Sequence, residues 1–151
     1  MEGEIIQASI RDADNIVSLV SRYDKDFEPP LSERIDLNSY VHKLLDRGYC
    51  HVYKHKEKIR GVVAYYANDT DSLSAYLSLI LVDEEYRGSE VASKMLNVME
   101  KHCRNIGFNK INLEMASNKN DLLKWYMRQS YMPQEEYNRD GSRCVKMSKS
   151  L

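Results

Sequence analysis

A strand that runs straight into a helix is the feature that most limits what this chain can become. Leu77-Ser78-Leu79-Ile80-Leu81-Val82 is an apolar, strand-like run. Shortly after it, Tyr86-Arg87-Gly88-Ser89-Glu90-Val91-Ala92-Ser93-Lys94-Met95-Leu96 opens an amphipathic helix. Such a junction leaves backbone N–H groups unpartnered at the helix N-terminus, where the helix dipole adds partial positive charge. Arg87 brings a cation and Gly88 a turn residue. Ser89, Ala92 and Ser93 are small, as a chain passing close to a ligand must be. The pattern points to a phosphate-bearing cofactor lying across the turn.

A length of 151 residues predicts one domain, spanning 1–151 and large enough to bury a core. With 22 basic and 23 acidic residues the formal net charge is −1, so neither a nucleic-acid-binding tail nor an acidic solvating arm is expected. No apolar run approaches the ~18 residues that a membrane span needs. The start, Met1-Glu2-Gly3-Glu4, lacks the basic-then-apolar layout of a secretory signal. Cys50, Cys103 and Cys144 are odd in number and widely spread, which fits neither a disulfide framework nor a metal site. A reduced, cytoplasmic protein without a bound metal is the expectation.

Hydrophobic spacing gives an α/β order. Residues 5–8 read as a short strand. Ser9 with Asp12 forms a capping pattern ahead of a helix whose apolar positions are Ile10, Ala13, Ile16, Val17 and Val20. After a polar loop over 23–33, Asp36 caps a second helix with Leu37, Tyr40, Val41, Leu44 and Leu45 on one face and Gly48 at its end. Residues 50–54 and 59–67 are strands around the turn His55-Lys56-Glu57, and 75–82 is a longer one. The helix after the phosphate turn carries Val91, Met95, Leu96, Met99, Cys103 and Ile106 and ends at Gly107. Residues 111–115 form a strand, a short helix runs from Asn120 or Asp121 to Gln129, and 131–137 with 143–147 form a hairpin around Asp140-Gly141.

This order resembles the GNAT superfamily of acetyl-CoA-dependent N-acetyltransferases over essentially the whole chain. The family's phosphate motif is Arg or Gln, two residues, Gly, one residue, then Gly or Ala. Arg87 fits the first position and Ala92 the last, while Glu90 stands in place of the middle glycine. A second similar stretch is Asn118 to Tyr131, in which Tyr126 falls on the family's tyrosine and Ser130-Tyr131 replaces Gly-Phe. Asn118 is one residue too early, and Asn120 one too late, for the family's asparagine. The resemblance implies a mixed, mostly antiparallel central sheet of about seven strands with about four helices. Its fourth and fifth strands, 75–82 and 111–115, would splay apart to admit the cofactor.

The function implied is acetyl transfer from acetyl-CoA to a primary amine of a small polar substrate. Leu81 and Val82 would offer backbone contacts to the acetyl and pantetheine groups, where an N–H aimed at the thioester oxygen stabilises developing charge. Arg87, Gly88, Ser89, Glu90, Val91, Ala92 and Ser93 would form the phosphate turn. Tyr126 is the candidate general acid for the leaving thiolate. Asp24, Phe27 and Glu28, in the loop with Pro29 and Pro30, are the candidate substrate contacts. An amino sugar on a nucleotide is one candidate acceptor, with amino acids, polyamines and protein N-termini open. Glu114, Ser78, Tyr76, Asp24, Glu28 and His51 all remain open as the base, as does a water chain. A small-molecule amine is the expected partner, and a homodimer stays open; nucleic acid and membranes are not expected. Two further readings are a non-catalytic module that holds CoA, favoured by Glu90, and an enzyme acting on a protein or peptide amine.

Overall fold

A computed structural model describes residues 3–27 and 29–151. Among these residues, seven strands and four helices follow one another in the expected order: β1 (Glu4–Gln7), α1 (Ala13–Arg22), α2 (Leu37–Arg47), β2 (Tyr49–His55), β3 (Lys58–Asp69), β4 (Ser74–Val82), α3 (Val91–Asn105), β5 (Lys110–Ala116), α4 (Asn120–Arg128), β6 (Met132–Arg139) and β7 (Ser142–Ser150). One sheet in the order β1-β2-β3-β4-β5-β7-β6 takes all seven strands. Every neighbouring pair is antiparallel except β4 and β5.

Local chemistry explains most boundaries. Ser9 and Asp12 form a reciprocal capping box, but it caps a 3₁₀ turn over Ile10–Asp12 rather than α1 itself. Ile10 therefore sits outside the helical stripe and is 62% exposed, and Leu19 takes a buried place instead. Asp36 Oδ2 accepts from the Ser39 N–H at 3.0 Å and starts α2 as expected. Gly48 ends α2 for a different reason from the one its position suggests. Its φ of −111° is ordinary, but a Cβ there would stand 2.7 Å from the Tyr65 carbonyl oxygen. Ile106, expected on the buried stripe of α3, lies past the helix end and is 40% exposed.

Two cores follow, one on each face of the sheet. Ile16, Leu19 and Val20 of α1 and Val41 and Leu44 of α2 pack on Val52, Val62, Ala64, Leu79 and Leu81. Met95, Leu96 and Met99 of α3 and Tyr126 of α4 pack on Val63, Tyr65, Leu77, Ile111, Leu113 and Met147. The changeover from Leu77 to Leu79 happens at one residue. Ala64 pairs with Leu79 but Tyr65 with Leu77, so Ser78 is an extra residue on β4, a bulge. It is held by Tyr40 of α2, whose hydroxyl lies 2.8 Å from the Ser78 Oγ.

The parallel pair β4–β5 is joined only at Ser74, Ala75 and Tyr76 against Lys110, Ile111 and Asn112. Beyond that point β5 goes on to Ala116 with β7 as partner, and β4 goes on to Val82 with β3. The strands part there, giving the splay.

Candidate functional site

The site is built where β4 and β5 diverge. On the α3 side, β4 leads through a short 3₁₀ turn over Glu84–Tyr86 into the turn that opens α3. The backbone N–H groups of Gly88, Ser89, Glu90, Ala92 and Ser93 meet no acceptor among the described residues. The Val91 N–H reaches only the Ser89 Oγ, at 3.5 Å. Gly88 carries the left-handed φ of +78°, and a Cβ on it would meet nothing within 4 Å. These open amides, the free space beside Gly88 and the helix dipole suit a phosphate-bearing ligand. The side chains hold the turn from inside. Ser89 Oγ donates to the Tyr86 carbonyl, Ser93 Oγ donates to the Glu90 carbonyl at 3.0 Å, and Ala92 packs against the core.

Glu90 occupies the N-cap position with φ −86° and ψ 8°. The residue standing in for the family's middle glycine thus needs no left-handed backbone; that conformation falls on Gly88 instead. The Glu90 side chain points outward, 84% exposed, and its carboxylate lies 3.8 Å from Lys94 one turn on.

Arg87 is half-exposed and already engaged. Its Nε donates to the Val82 carbonyl at 2.9 Å, its Nη2 lies 3.5 Å from Asp26, and its guanidinium sits 4.7 Å from the Tyr23 ring centroid. Val82 faces the α3 core and Leu81 the α1/α2 core. The Asp83 N–H bonds the Arg60 carbonyl at 2.7 Å, so alternation turns the Leu81 backbone to β3 and the Val82 backbone to the splay.

Behind this turn lies a buried ionic cluster. Asp83, only 4% exposed, accepts from the Tyr23 hydroxyl, from Arg60 at 2.8 Å and from Arg22 at 3.3 Å. Burial pushes the Asp83 carboxyl up, but the Tyr23 and Arg60 hydrogen bonds and the charges of Arg22 and Arg60 outweigh it. The net result is a carboxyl below its ordinary range. Sequence reasoning missed Asp83, Arg60, Arg22 and Tyr23, because no local pattern links residues 60 positions apart.

Tyr126 lies on α4 and is 5% exposed, edge-on to Trp125 and to Tyr131. Its hydroxyl has no hydrogen-bond partner among the described residues. Burial raises its phenol well above the ordinary value, so it keeps its proton at neutral pH. Ser130, in the place of the family's glycine, holds φ +73°. The Ser130 N–H reaches the Met127 carbonyl and the Tyr131 N–H the Tyr126 carbonyl, each at 3.0 Å, which is the Schellman ending of α4.

The opposite face of the splay carries Glu114. Ile111, Leu113 and Met115 point into the α3 core, so alternation places Glu114 on the other side. There Tyr76 donates to its Oε1 at 3.3 Å and Arg139 to its Oε2 at 2.6 Å. Burial and the Glu114 charge push the Tyr76 phenol up to about 12.

The Asp24 carboxylate accepts from both the Ser32 N–H and the Ser32 hydroxyl, which hold it below its usual range. Phe27 packs, partly buried, against the α1/α2 core. Glu28 lies outside the described residues. His51, another candidate base, is instead joined to the buried Tyr65 hydroxyl at 2.9 Å, and that hydroxyl lies 2.6 Å from His102 Nδ1. No described helix is long and apolar enough to cross a membrane, and no metal-holding cluster occurs among the described residues.

Comparison with solved structures gives the same fold repeatedly. A GNAT acetyltransferase from Streptococcus pneumoniae superposes with a TM-score of 0.80 at 17% identity, covering 99% of each chain. An N-acetyltransferase from Staphylococcus aureus gives 0.79 at 12% identity, with 99% of each chain covered. A ribosomal-protein-alanine N-acetyltransferase from Brucella melitensis gives 0.78 at 16% identity, covering 98% of this chain and 99% of that one. These identities establish the fold alone. No curated protein matches the sequence. The family model for the GNAT acetyltransferases, however, matches residues 14–131, most of the chain. With its element order, splayed β4–β5 pair and open helix N-terminus, this chain belongs to the GNAT family of acetyltransferases.

Proposed function

We propose that this acetyltransferase transfers an acetyl group from acetyl-CoA to a primary amine of a small polar substrate, with Tyr126 as general acid. The observation that carries the reading is the arrangement around the splay. Open amides lie at one end and a carboxylate stands on the opposite face, while the role of Tyr126 is supported by its place in the family resemblance. Bound acetyl-CoA would supply an acetyl group activated as a thioester.

The residues of the chain divide the remaining work. The N–H groups of Gly88, Ser89, Glu90, Ala92 and Ser93, with Arg87, would hold the diphosphate. The backbone of Val82 would align the pantetheine arm along the free side of β4, whereas that of Leu81 is taken by β3. Tyr126 keeps its phenol protonated at neutral pH and would give that proton to the leaving thiolate, at a cost that its burial adds to. Glu114 presents a carboxylate to an incoming ammonium and can take a proton at an oxygen now held by Tyr76 or Arg139. A polar amine, including an amino sugar, suits this charged face. The likeness to a ribosomal-protein-alanine N-acetyltransferase makes peptide amines worth the same trial. Three unpaired cysteines, two of them buried, suit a reducing compartment such as the cytoplasm.

The test is a screen of amines for thiol release, paired with calorimetry of acetyl-CoA binding. Tyr126→Phe should cut turnover about 10²-fold or more while leaving cofactor affinity almost unchanged. Normal turnover with chemistry rate-limiting would remove Tyr126 from the mechanism. Binding of acetyl-CoA without thiol release from any amine, peptides included, would favour a CoA-holding module.

A further inference from the structure

We infer that the loop after α1 sets the affinity of the phosphate turn: Tyr23 presents Arg87 to the ligand and Asp26 competes for it. The inference rests on the reading that Arg87 binds the diphosphate of acetyl-CoA, and it makes Tyr23 and Asp26 positioning residues.

Tyr23 is fixed to the same turn that Arg87 belongs to. Its hydroxyl accepts from the Glu84 N–H at 2.8 Å and donates to the buried Asp83 carboxylate, which Arg60 and Arg22 hold in turn. Its ring lies against the Arg87 guanidinium, 4.7 Å from centroid to Cζ. A cation resting on an aromatic face keeps its position without giving up its outer N–H donors. The ring is therefore a platform that aims Arg87 while leaving it able to bind an anion.

Asp26 does the opposite. Its carboxylate takes Arg87 Nη2 at 3.5 Å, and its backbone carbonyl accepts from Lys119 Nζ at the start of α4. Arg87 follows β4 and Lys119 follows β5, so the Asp26 segment bridges the two sides of the splayed mouth. Asp26 is 59% and Arg87 44% exposed at the side chain. A diphosphate arriving at Arg87 must displace this carboxylate or lie against a like charge. The pair is exposed and weak, which suits a contact that a doubly charged ligand can break.

The experiment is calorimetry of coenzyme A on the full chain. Asp26→Asn should tighten the dissociation constant about two- to fivefold, the range of an exposed ion pair. In an Arg87→Ala background that gain should vanish, and in about 0.5 M salt it should shrink. Tyr23→Leu should weaken binding by a similar about two- to fivefold factor, and Tyr23→Phe, which keeps the ring, should recover part of it. A purely structural role gives neither opposite signs at the two positions nor dependence on Arg87. An Asp26→Asn variant that binds no tighter, while Arg87→Ala binds weaker, would overturn the inference and leave the phosphate reading standing. An equal gain in the Arg87→Ala background would also overturn it, as a general charge effect. An unchanged constant for Arg87→Ala itself would remove both.

Discussion

Replacing Asp83 by Asn tests whether the buried ionic cluster holds the phosphate turn to the rest of the fold. Asn keeps the size and one acceptor oxygen but turns an NH₂ group toward a donor, either the Tyr23 hydroxyl or Arg60. A net hydrogen bond to a charged group is worth roughly 1.5–3 kcal/mol. The Arg22 contact adds less than about 1 kcal/mol, because its side chain is 54% exposed and can rehydrate. The expected loss is about 2–4 kcal/mol, or roughly 4–16 °C in melting temperature for a chain of this size. Folding lowers the Asp83 carboxyl below its ordinary 3.8. Its contribution is thus fully present above that value and is lost as pH falls through the folded one. Urea unfolding of both proteins at pH 7 and near pH 3 measures this, with the m-value as a check on the two states. The gap should be widest at pH 7 and narrow as pH falls below 3.8. A gap below about 1 kcal/mol at pH 7, or one that persists unchanged in acid, refutes the reasoning.

Three other outcomes follow from single positions. Glu90→Gly should tighten acetyl-CoA by about 1 kcal/mol or less, since only an exposed charge is removed; a gain of several kcal/mol, or binding seen only in the variant, would mean that the natural turn is closed to CoA. Ser130→Gly should raise stability by about 0.5–1 kcal/mol, because φ +73° strains a serine more than glycine's extra chain entropy costs; a lower unfolding midpoint contradicts this. Burial, and then the nearby His102, hold the His51 imidazole below its ordinary 6.5, so the protein should lose stability as pH falls from about 6.5 toward the lower folded value. His51→Gln should flatten that slope, and parallel curves for the two proteins between pH 7.5 and 5 would exclude it.

Much of this fold is legible in the residues because its signals are local. Apolar spacing marks α2 and α3. Asp36 caps α2. The hairpin falls on Asp140-Gly141, where φ is +50° and +83°. The strand-turn-helix at Val82 to Val91 needs only a short window, which is why it can be read directly. Glycines are less transparent. Gly48 answers a contact with Tyr65 from another strand, and the glycine missing at Glu90 is not missed by the backbone at all.

What sequence alone determines here is the order of elements and the strand-turn-helix after β4, and the family resemblance singles out Tyr126 as the tyrosine worth testing. Tertiary structure alone decides which side each group faces and what already holds it. The bulge at Ser78 sends Leu79 and Leu81 to the face opposite Leu77. Glu114 faces away from the α3 core because β5 pairs with β7 and keeps strict alternation. Arg87 meets Asp26 and Tyr23, and Asp83 collects Arg22 and Arg60, only because the sheet order sets β4 against β3 and folds the loop after α1 onto its end. Periodicity reports the angle of a side chain about its own element; it carries no information on which distant charge will stand opposite.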